Sequence, residues 1–128
     1  MKNLSYLGAL LLLVIGSCPA QSVAEQQDAR VIENLVAAGS DISKLHDIDF
    51  FMFLPSESQA NAAAAEMEQL GYVVTSIDQP ASQSQWQIHA TRRMAPQLEA
   101  MTAATRTLEE VASKHGGDYD GWGTAVVD

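Results

Sequence analysis

The 128-residue sequence contains a single cysteine, Cys18, so the chain cannot form an intramolecular disulfide. A fold in an oxidising compartment must therefore be stabilised by its core alone. Basic residues are also scarce, because 7 Lys and Arg stand against 16 Asp and Glu and give a formal net charge of −9. A chain this acidic repels nucleic-acid phosphate and anionic lipid headgroups, so nucleic acid is not an expected partner.

Aromatic residues make up only 6% of the chain, so the core must consist mainly of aliphatic, Ala and Met side chains. The sequence also lacks the patterns of known chemistry: it has no Ser-His-Asp or Cys-His arrangement, no phosphate loop and no dinucleotide-binding motif. No ligand pair has the i, i+4 spacing of helical zinc sites. We therefore predict one domain that is not an enzyme and has no catalytic residues, cofactor or metal.

The long hydrophobic run of the sequence lies near the N-terminus, from Leu7 to Ile15, and follows the basic residue Lys2. This run is shorter than the roughly 20 residues that a membrane-spanning helix needs, and small residues follow it. The arrangement is typical of a secretory signal peptide, which we assign to residues 1–24.

Two processing sites are compatible with this signal. Ile15-Gly16-Ser17-Cys18 resembles a bacterial lipobox, in which Cys18 is acylated and becomes the new N-terminus. Ser22-Val23-Ala24 instead satisfies the small-x-small rule of ordinary signal peptidase, which would leave Glu25 first. Either route predicts an exported protein, located in the periplasm or anchored to the membrane as a lipoprotein.

Residues 25–45 are predicted to form a tether and an N-terminal helix. The polar stretch from Glu25 to Ala29 is interpreted as the tether, and apolar residues recur at helical spacing from Val31 to Ala38. From His46 onward, periods of two and of 3.6 residues indicate the order βαββαβ. The expected ranges are 46–54, 56–70, 72–77, 86–91, 94–115 and 122–127.

This order predicts a ferredoxin-like α+β domain over residues 46–128, with a four-stranded antiparallel sheet and, through right-handed crossovers, two helices on one face. The first and third strands should be central. We call the sheet face opposite these helices the open face. Its expected side chains on the two central strands are Asp49, Phe51, Phe53, Gln87, His89 and Thr91.

Phe51, Phe53 and His89 are candidates for partner binding, because a monomer gains little from aromatic residues that face water. Three alternatives remain open: the N-terminal helix covers this face, a protein partner or second copy binds it, or a concave pocket there serves a small ligand or a reaction. Single-stranded RNA is not expected, because the third strand has no aromatic residue on this face and the chain is acidic.

A second candidate region precedes the C-terminus, where Trp122 lies between Gly121 and Gly123. Glycine weakens a strand and is tolerated where the backbone bends sharply or passes close to another element. Trp122 is therefore either a plug at one end of the core or part of a binding edge. That edge would also include the acidic turn Asp118-Tyr119-Asp120.

Three groups of residues carry a resemblance to a known family. They are Phe50 to Pro55 before an Ala-rich helix that ends in Leu70-Gly71-Tyr72-Val73, Trp86 leading to Ala90-Thr91-Arg92, and, most specifically, Asp118 to Thr124. Together they resemble the regulator of ribonuclease E inhibitor family, RraB, over roughly residues 46–127.

The resemblance implies a ferredoxin-like α+β fold and a non-enzymatic protein that binds ribonuclease E and restrains RNA turnover. The founding members of that family are cytoplasmic, and an exported domain does not meet a cytoplasmic ribonuclease. We therefore predict an exported, non-enzymatic RraB-like domain for protein interaction or regulation. The alternative is an envelope domain that binds a small ligand or catalyses a reaction on its open face.

Overall fold

The computed structural model describes residues 22–128, so Cys18 and most of the predicted signal peptide lie outside the described residues. The elements are α1 Val23–Ala37, β1 His46–Leu54, α2 Glu57–Gln69, β2 Val73–Asp78, β3 Trp86–Met94, α3 Leu98–Lys114 and β4 Asp118–Thr124. None of these helices is long and apolar enough to cross a membrane. The order from β1 onward confirms the predicted ferredoxin-like fold.

The four strands form an antiparallel sheet in the order β2-β3-β1-β4, so the first and third strands are central as predicted. Alternation in β1 decides which face packs against the helices. Every second side chain of this strand is buried, whereas those between are half-buried or exposed. The fully buried apolar ones are Ile48, Phe50, Met52 and Leu54. The side chains between them, Asp47, Asp49, Phe51 and Phe53, lie on the open face.

Both crossover helices bury a narrow apolar stripe against the sheet. In α2 the stripe consists largely of alanine, which lets the helix lie close to the strands, and Ser56 caps its first turn by accepting a hydrogen bond from the backbone N–H of Gln59 at 3.1 Å. In α3 larger side chains fill the space. The buried residues of the two helices are Ala60, Ala63, Ala64, Met67, Met101, Ala104, Thr105, Leu108, Val111 and Ala112.

The N-terminal helix begins earlier than the sequence indicates. It starts at Val23, so the predicted tether from Glu25 to Ala29 is wrong. Glu25 and Asp28 are buried, with 7% and 1% of their surface exposed, because distant parts of the chain supply their partners. The apolar pattern from residue 31 onward reveals only the second half of this helix, and polar residues on its buried face hide the first.

The last strand also lies earlier than predicted. It covers Asp118–Thr124 rather than 122–127, so the acidic segment is part of an edge strand and not a turn. An edge strand tolerates acidic residues because its outer side is open to water. The residues after Thr124 follow the 40–44 loop, where Val127 accepts a hydrogen bond from the backbone N–H of Asp41 at 2.6 Å.

Candidate protein-binding site

Strand register places the open-face side chains of neighbouring strands side by side. One row crosses all four strands and consists of Asp78, Gln87, Phe53 and Asp118. In the adjacent row Phe51 lies between His89 on β3 and Gly121 on β4. The predicted proximity of the two phenylalanines to Gln87 and His89 is therefore confirmed.

Three side chains in the middle of the open face hold one another in place. The rings of Phe51 and His89 stack with their centroids 4.9 Å apart and their planes 15° apart. His89 Nε2 also donates a hydrogen bond to Asp49 Oδ1 at 2.7 Å. About a third of the His89 side chain remains exposed, at 33%. The result is a partly apolar, preorganised surface within reach of another molecule.

The N-terminal helix does not cover this surface, so that alternative is wrong. It packs against α3 and β4 on the other side of the sheet, where Asp28 accepts hydrogen bonds from Thr105 and Trp122. Phe51 and Phe53 are only half-buried. Val73, which belongs to the same face at the β2 edge, is 62% exposed. The open face is therefore uncovered across the described residues 22–128.

The glycines around Trp122 do not make room for its ring. Gly121 has a φ of +98° and lies at a β-bulge opposite Phe51, so the predicted sharp bend is confirmed there. A Cβ on Gly121 or Gly123 would meet no atom within 4 Å. The close backbone approach occurs instead at Gly117, where a Cβ would meet the carbonyl oxygen of Phe53. Because Gly121 and Gly123 have no side chains, β4 presents only backbone to the open face beside Phe51 and Asp49.

Trp122 lies in the core, with 9% of its surface exposed, which agrees with its interpretation as a plug. Its Nε1–H donates to Asp28 Oδ1 at 2.8 Å, and the hydroxyl of Thr105 donates to the same oxygen at 2.9 Å. Sequence reasoning missed Asp28. Two signals could have revealed it: its spacing of i, i+4 and i+7 with Ile32 and Leu35, and the need of a buried indole for an acceptor.

Burial changes the pKa of two titratable groups near Trp122, Asp28 and Tyr119. Burial, more than any other influence, raises the pKa of Asp28, although its two hydrogen bonds act in the opposite direction. Burial likewise raises the pKa of Tyr119, which points to the helix side and whose hydroxyl is buried close to Thr105. Asp118 and Asp120 are exposed. Among the C-terminal candidates, only these two acids are freely available to a partner.

His46 and His89 lie on opposite faces of the sheet. His46 is buried, and its ring nitrogens lie 2.7 Å from the hydroxyl of Ser40 and 2.9 Å from the carbonyl oxygen of Lys44. His89 lies on the open face beside Asp49. Within residues 22–128, no group of three or more His, Cys, Asp or Glu side chains is arranged to hold a metal ion.

Four concave regions within residues 22–128 involve the helices. One of about 550 Å³ lies between Glu25 of α1 and the polar side chains of α3 from Arg106 to Lys114, and one of about 200 Å³ lies along α1 beside Arg30. A cavity of about 310 Å³ is lined by the end of α2, by alanines of α3 and by Tyr72, whose ring centroid lies 5.2 Å from the guanidinium carbon of Arg92. A cavity of about 90 Å³ lies between α1 and β4, next to Asp28 and Trp122. None of the four is lined by Phe51, Phe53 or His89. These cavities, rather than the open face, have the concave form that is typical of small-ligand sites.

Comparison with known proteins identifies relatives of this chain. The family model described as "Regulator of ribonuclease activity B" matches residues 25–124. This range includes α1 from its third residue and all four strands, so it contains both the open face and the Asp28–Trp122 hydrogen bond.

Individual relatives carry the same description. "Regulator of ribonuclease activity B" from Proteus mirabilis is 30% identical over 110 residues, which cover 82% of this chain and 77% of that protein. The protein of the same name from Xenorhabdus nematophila is 27% identical over 108 residues, with 80% of this chain and 75% of the relative covered. The similarity therefore extends over most of each protein.

Proposed function

The chain belongs to the RraB family of regulators of ribonuclease activity, and on this basis we propose that it is a non-enzymatic regulatory domain that acts by binding a protein. The names of its relatives state that they regulate a ribonuclease. A ribonuclease, with ribonuclease E as the member suggested by the sequence resemblance, is therefore the first partner to test. A domain of this kind needs a recognition surface rather than a catalytic pocket.

The observation that carries this proposal is the uncovered open face. Phe51 and Phe53 are half-buried on a sheet surface that no other described element covers, and His89 is fixed beside them by stacking and by its hydrogen bond to Asp49. Partly apolar patches with polar borders are typical of protein interfaces. Aromatic residues in such patches commonly account for about 2 kcal/mol or more of the binding free energy.

Export is part of the same proposal, because the signal-like residues 1–24 would carry the domain out of the cytoplasm. Of the two processing routes, acylation at Cys18 has a structural argument in its favour. Ser22 caps α1 by accepting a hydrogen bond from the backbone of Glu25 at 3.1 Å and donates one to Glu109 at 3.1 Å. Cleavage after Ala24 would remove this cap, whose loss typically costs about 0.5–2 kcal/mol.

The test compares partner capture by three tagged forms of the full-length protein. The double variant Phe51→Ser with Phe53→Ser should lose the partner. The matched control Val36→Ser with Leu98→Ser removes two apolar residues that are 53% and 47% exposed on helices, and it should retain the partner. Purified ribonuclease E and envelope fractions serve as separate sources. Equal capture by the wild type and the folded phenylalanine variant would refute the proposal.

A further variant covers the case in which the phenylalanine substitutions unfold the domain. Gly123 lies on the open face beside Asp49, and a Cβ there would meet no atom within 4 Å. Gly123→Gln should therefore leave folding intact while it obstructs a partner that lies on this surface. Unchanged capture by a folded Gly123→Gln protein would also count against the open face.

A further inference from the structure

We infer that the open face binds an extended, basic segment of a protein, in which two cationic side chains four residues apart flank an apolar one. This inference rests on the proposed function of the open face and specifies the chemistry of its partner. It is carried by the row of side chains that crosses the sheet through Phe53. Asp78 and Asp118 lie at the two ends of that row.

The two acids are available for a partner. Asp78 and Asp118 are exposed, and neither forms an ion pair or a side-chain hydrogen bond within residues 22–128. Phe53 lies between them, next to Gln87. The row therefore has Gln87 and the aromatic ring of Phe53 at its centre and a free carboxylate at each end, which complements a segment with an apolar side chain between two cations.

Sheet geometry sets the spacing of those cations. Neighbouring strands are about 4.8 Å apart, so three intervals place the ends of the row about 14 Å apart. An extended chain rises about 3.3 Å per residue and directs every second side chain to the same side, so residues i and i+4 are about 13 Å apart and residue i+2 lies between them. The matching pattern is cation-x-apolar-x-cation.

Positive charge on this face is already neutralised. Arg93 lies beside Asp47, with its Nη1 atom 3.2 Å from a carboxylate oxygen of that residue, and His89 donates to Asp49. A cationic segment therefore meets no unpaired positive group between Asp78 and Asp118. Nucleic acid and acidic peptides meet the opposite situation, because the two free carboxylates repel them.

The experiment measures binding of short synthetic peptides to the purified mature protein. The probe contains Arg-Ser-Leu-Ser-Arg between flanking glycines, and the comparison peptides carry Glu in place of both Arg or place the two Arg side by side. We expect the probe to bind most tightly and its affinity to fall as salt is added. A labelled single-stranded RNA should not bind. Preferential binding of that RNA or of the acidic peptide would overturn the inference.

Matched variants locate the interaction. Asp78→Asn with Asp118→Asn should weaken probe binding by about tenfold, because two exposed charge pairs are lost. Glu33→Gln with Glu110→Gln changes the net charge equally at exposed helix positions and should have little effect. If both double variants weaken binding equally, the effect is general electrostatics and the inference is wrong.

The same variants separate this inference from the proposed function. If partner capture requires Phe51 and Phe53 but is unaffected in the Asp78→Asn, Asp118→Asn protein, the open face binds a partner that is not the proposed basic segment. If capture requires neither pair, the proposed function of the open face fails as well. Loss of capture in both variant proteins, with capture retained in the Glu33→Gln, Glu110→Gln control, supports both.

Discussion

Asp28 Oδ1 and Trp122 Nε1 lie 2.8 Å apart and join the first helix to the last strand across 94 positions of the chain. The same oxygen accepts the hydroxyl of Thr105, so one carboxylate connects α1, α3 and β4. The second oxygen of Asp28 is buried without a hydrogen-bond partner. This network gives the N-terminal helix a fixed position on the helix side and leaves the open face free.

Two substitutions of Trp122 distinguish the contribution of its packing to stability from that of its hydrogen bond. Trp122→Ala should lower the free energy of unfolding by about 3–5 kcal/mol, as for other buried Trp truncations. Trp122→Phe retains most of the packing but leaves Asp28 short of a donor, so it should cost about 1–3 kcal/mol. Urea denaturation of the purified mature protein measures both. A loss under about 1 kcal/mol for Trp122→Ala would show that the indole is not a plug.

Asp28 should make stability depend on pH. Because burial raises its pKa in the folded state, the folded protein binds this proton more tightly than the unfolded chain does. Asp28 therefore destabilises the fold progressively as pH rises from about 3.9, the value in an unfolded chain, through the raised folded pKa. Asp28→Asn keeps an acceptor oxygen but does not titrate.

The measurable quantity is the free energy of unfolding of Asp28→Asn minus that of the wild type. It should increase as pH rises through this window and stay constant above it, because all other carboxyl groups are common to both proteins. Urea denaturation at a series of pH values from about 3 to 8 provides the data. A difference that is independent of pH, or that decreases, would contradict the prediction.

Two glycine substitutions test the close approach of the chain at the start of β4. Gly117→Ala places a methyl group against the carbonyl oxygen of Phe53 and Cδ1 of Leu54, so it should cost about 1–3 kcal/mol. Gly123→Ala meets nothing within 4 Å and should be neutral or stabilise by about 0.4–1 kcal/mol. Equal effects in thermal or urea denaturation would show that Gly117 is not sterically restricted.

Replacement of Cys18 tests the proposed location. If the lipoprotein route is used, Cys18→Ala should release the protein into the soluble periplasm or block its maturation. Fractionation and intact-mass measurement of the wild type and the variant distinguish these outcomes. A wild-type protein that begins at Glu25 would instead identify the ordinary signal peptidase site. Recovery of the uncleaved chain from the cytoplasm would exclude both routes.

Most of the fold could be predicted from the sequence because its periods are clear. Alternation through His46–Leu54 and the helical spacing of Met101, Leu108 and Val111 identify a central strand and its covering helix without any tertiary information. The start of α1 could not be predicted this way. Its buried face carries Glu25 and Asp28, whose partners are far away in sequence. The hydrophobic pattern of a single segment contains no information about such distant partners.

The candidate site was predictable in part for the same reason. The position of Phe51 and Phe53 beside His89 follows from the pairing of β1 with β3, which the βαββαβ order implies. The row that joins Asp78 to Asp118 could not be foreseen. It depends on the bulges in β2 and β4, because each bulge shifts the strand register by one residue. The hydrophobic pattern of the sequence does not reveal these shifts.

Those bulges have a further consequence for the behaviour of the protein at high concentration. Both outer strands of the sheet are irregular: β2 between Val74 and Ser76, and β4 at Gly121. Each edge is kinked and carries an exposed acid, Asp78 on β2 and Asp118 on β4, so each is a poor template for a strand of another molecule and opposes the stacking of copies into fibrils. The aromatic surface can therefore stay exposed in a crowded compartment, because aggregation through the sheet edges is disfavoured on both sides.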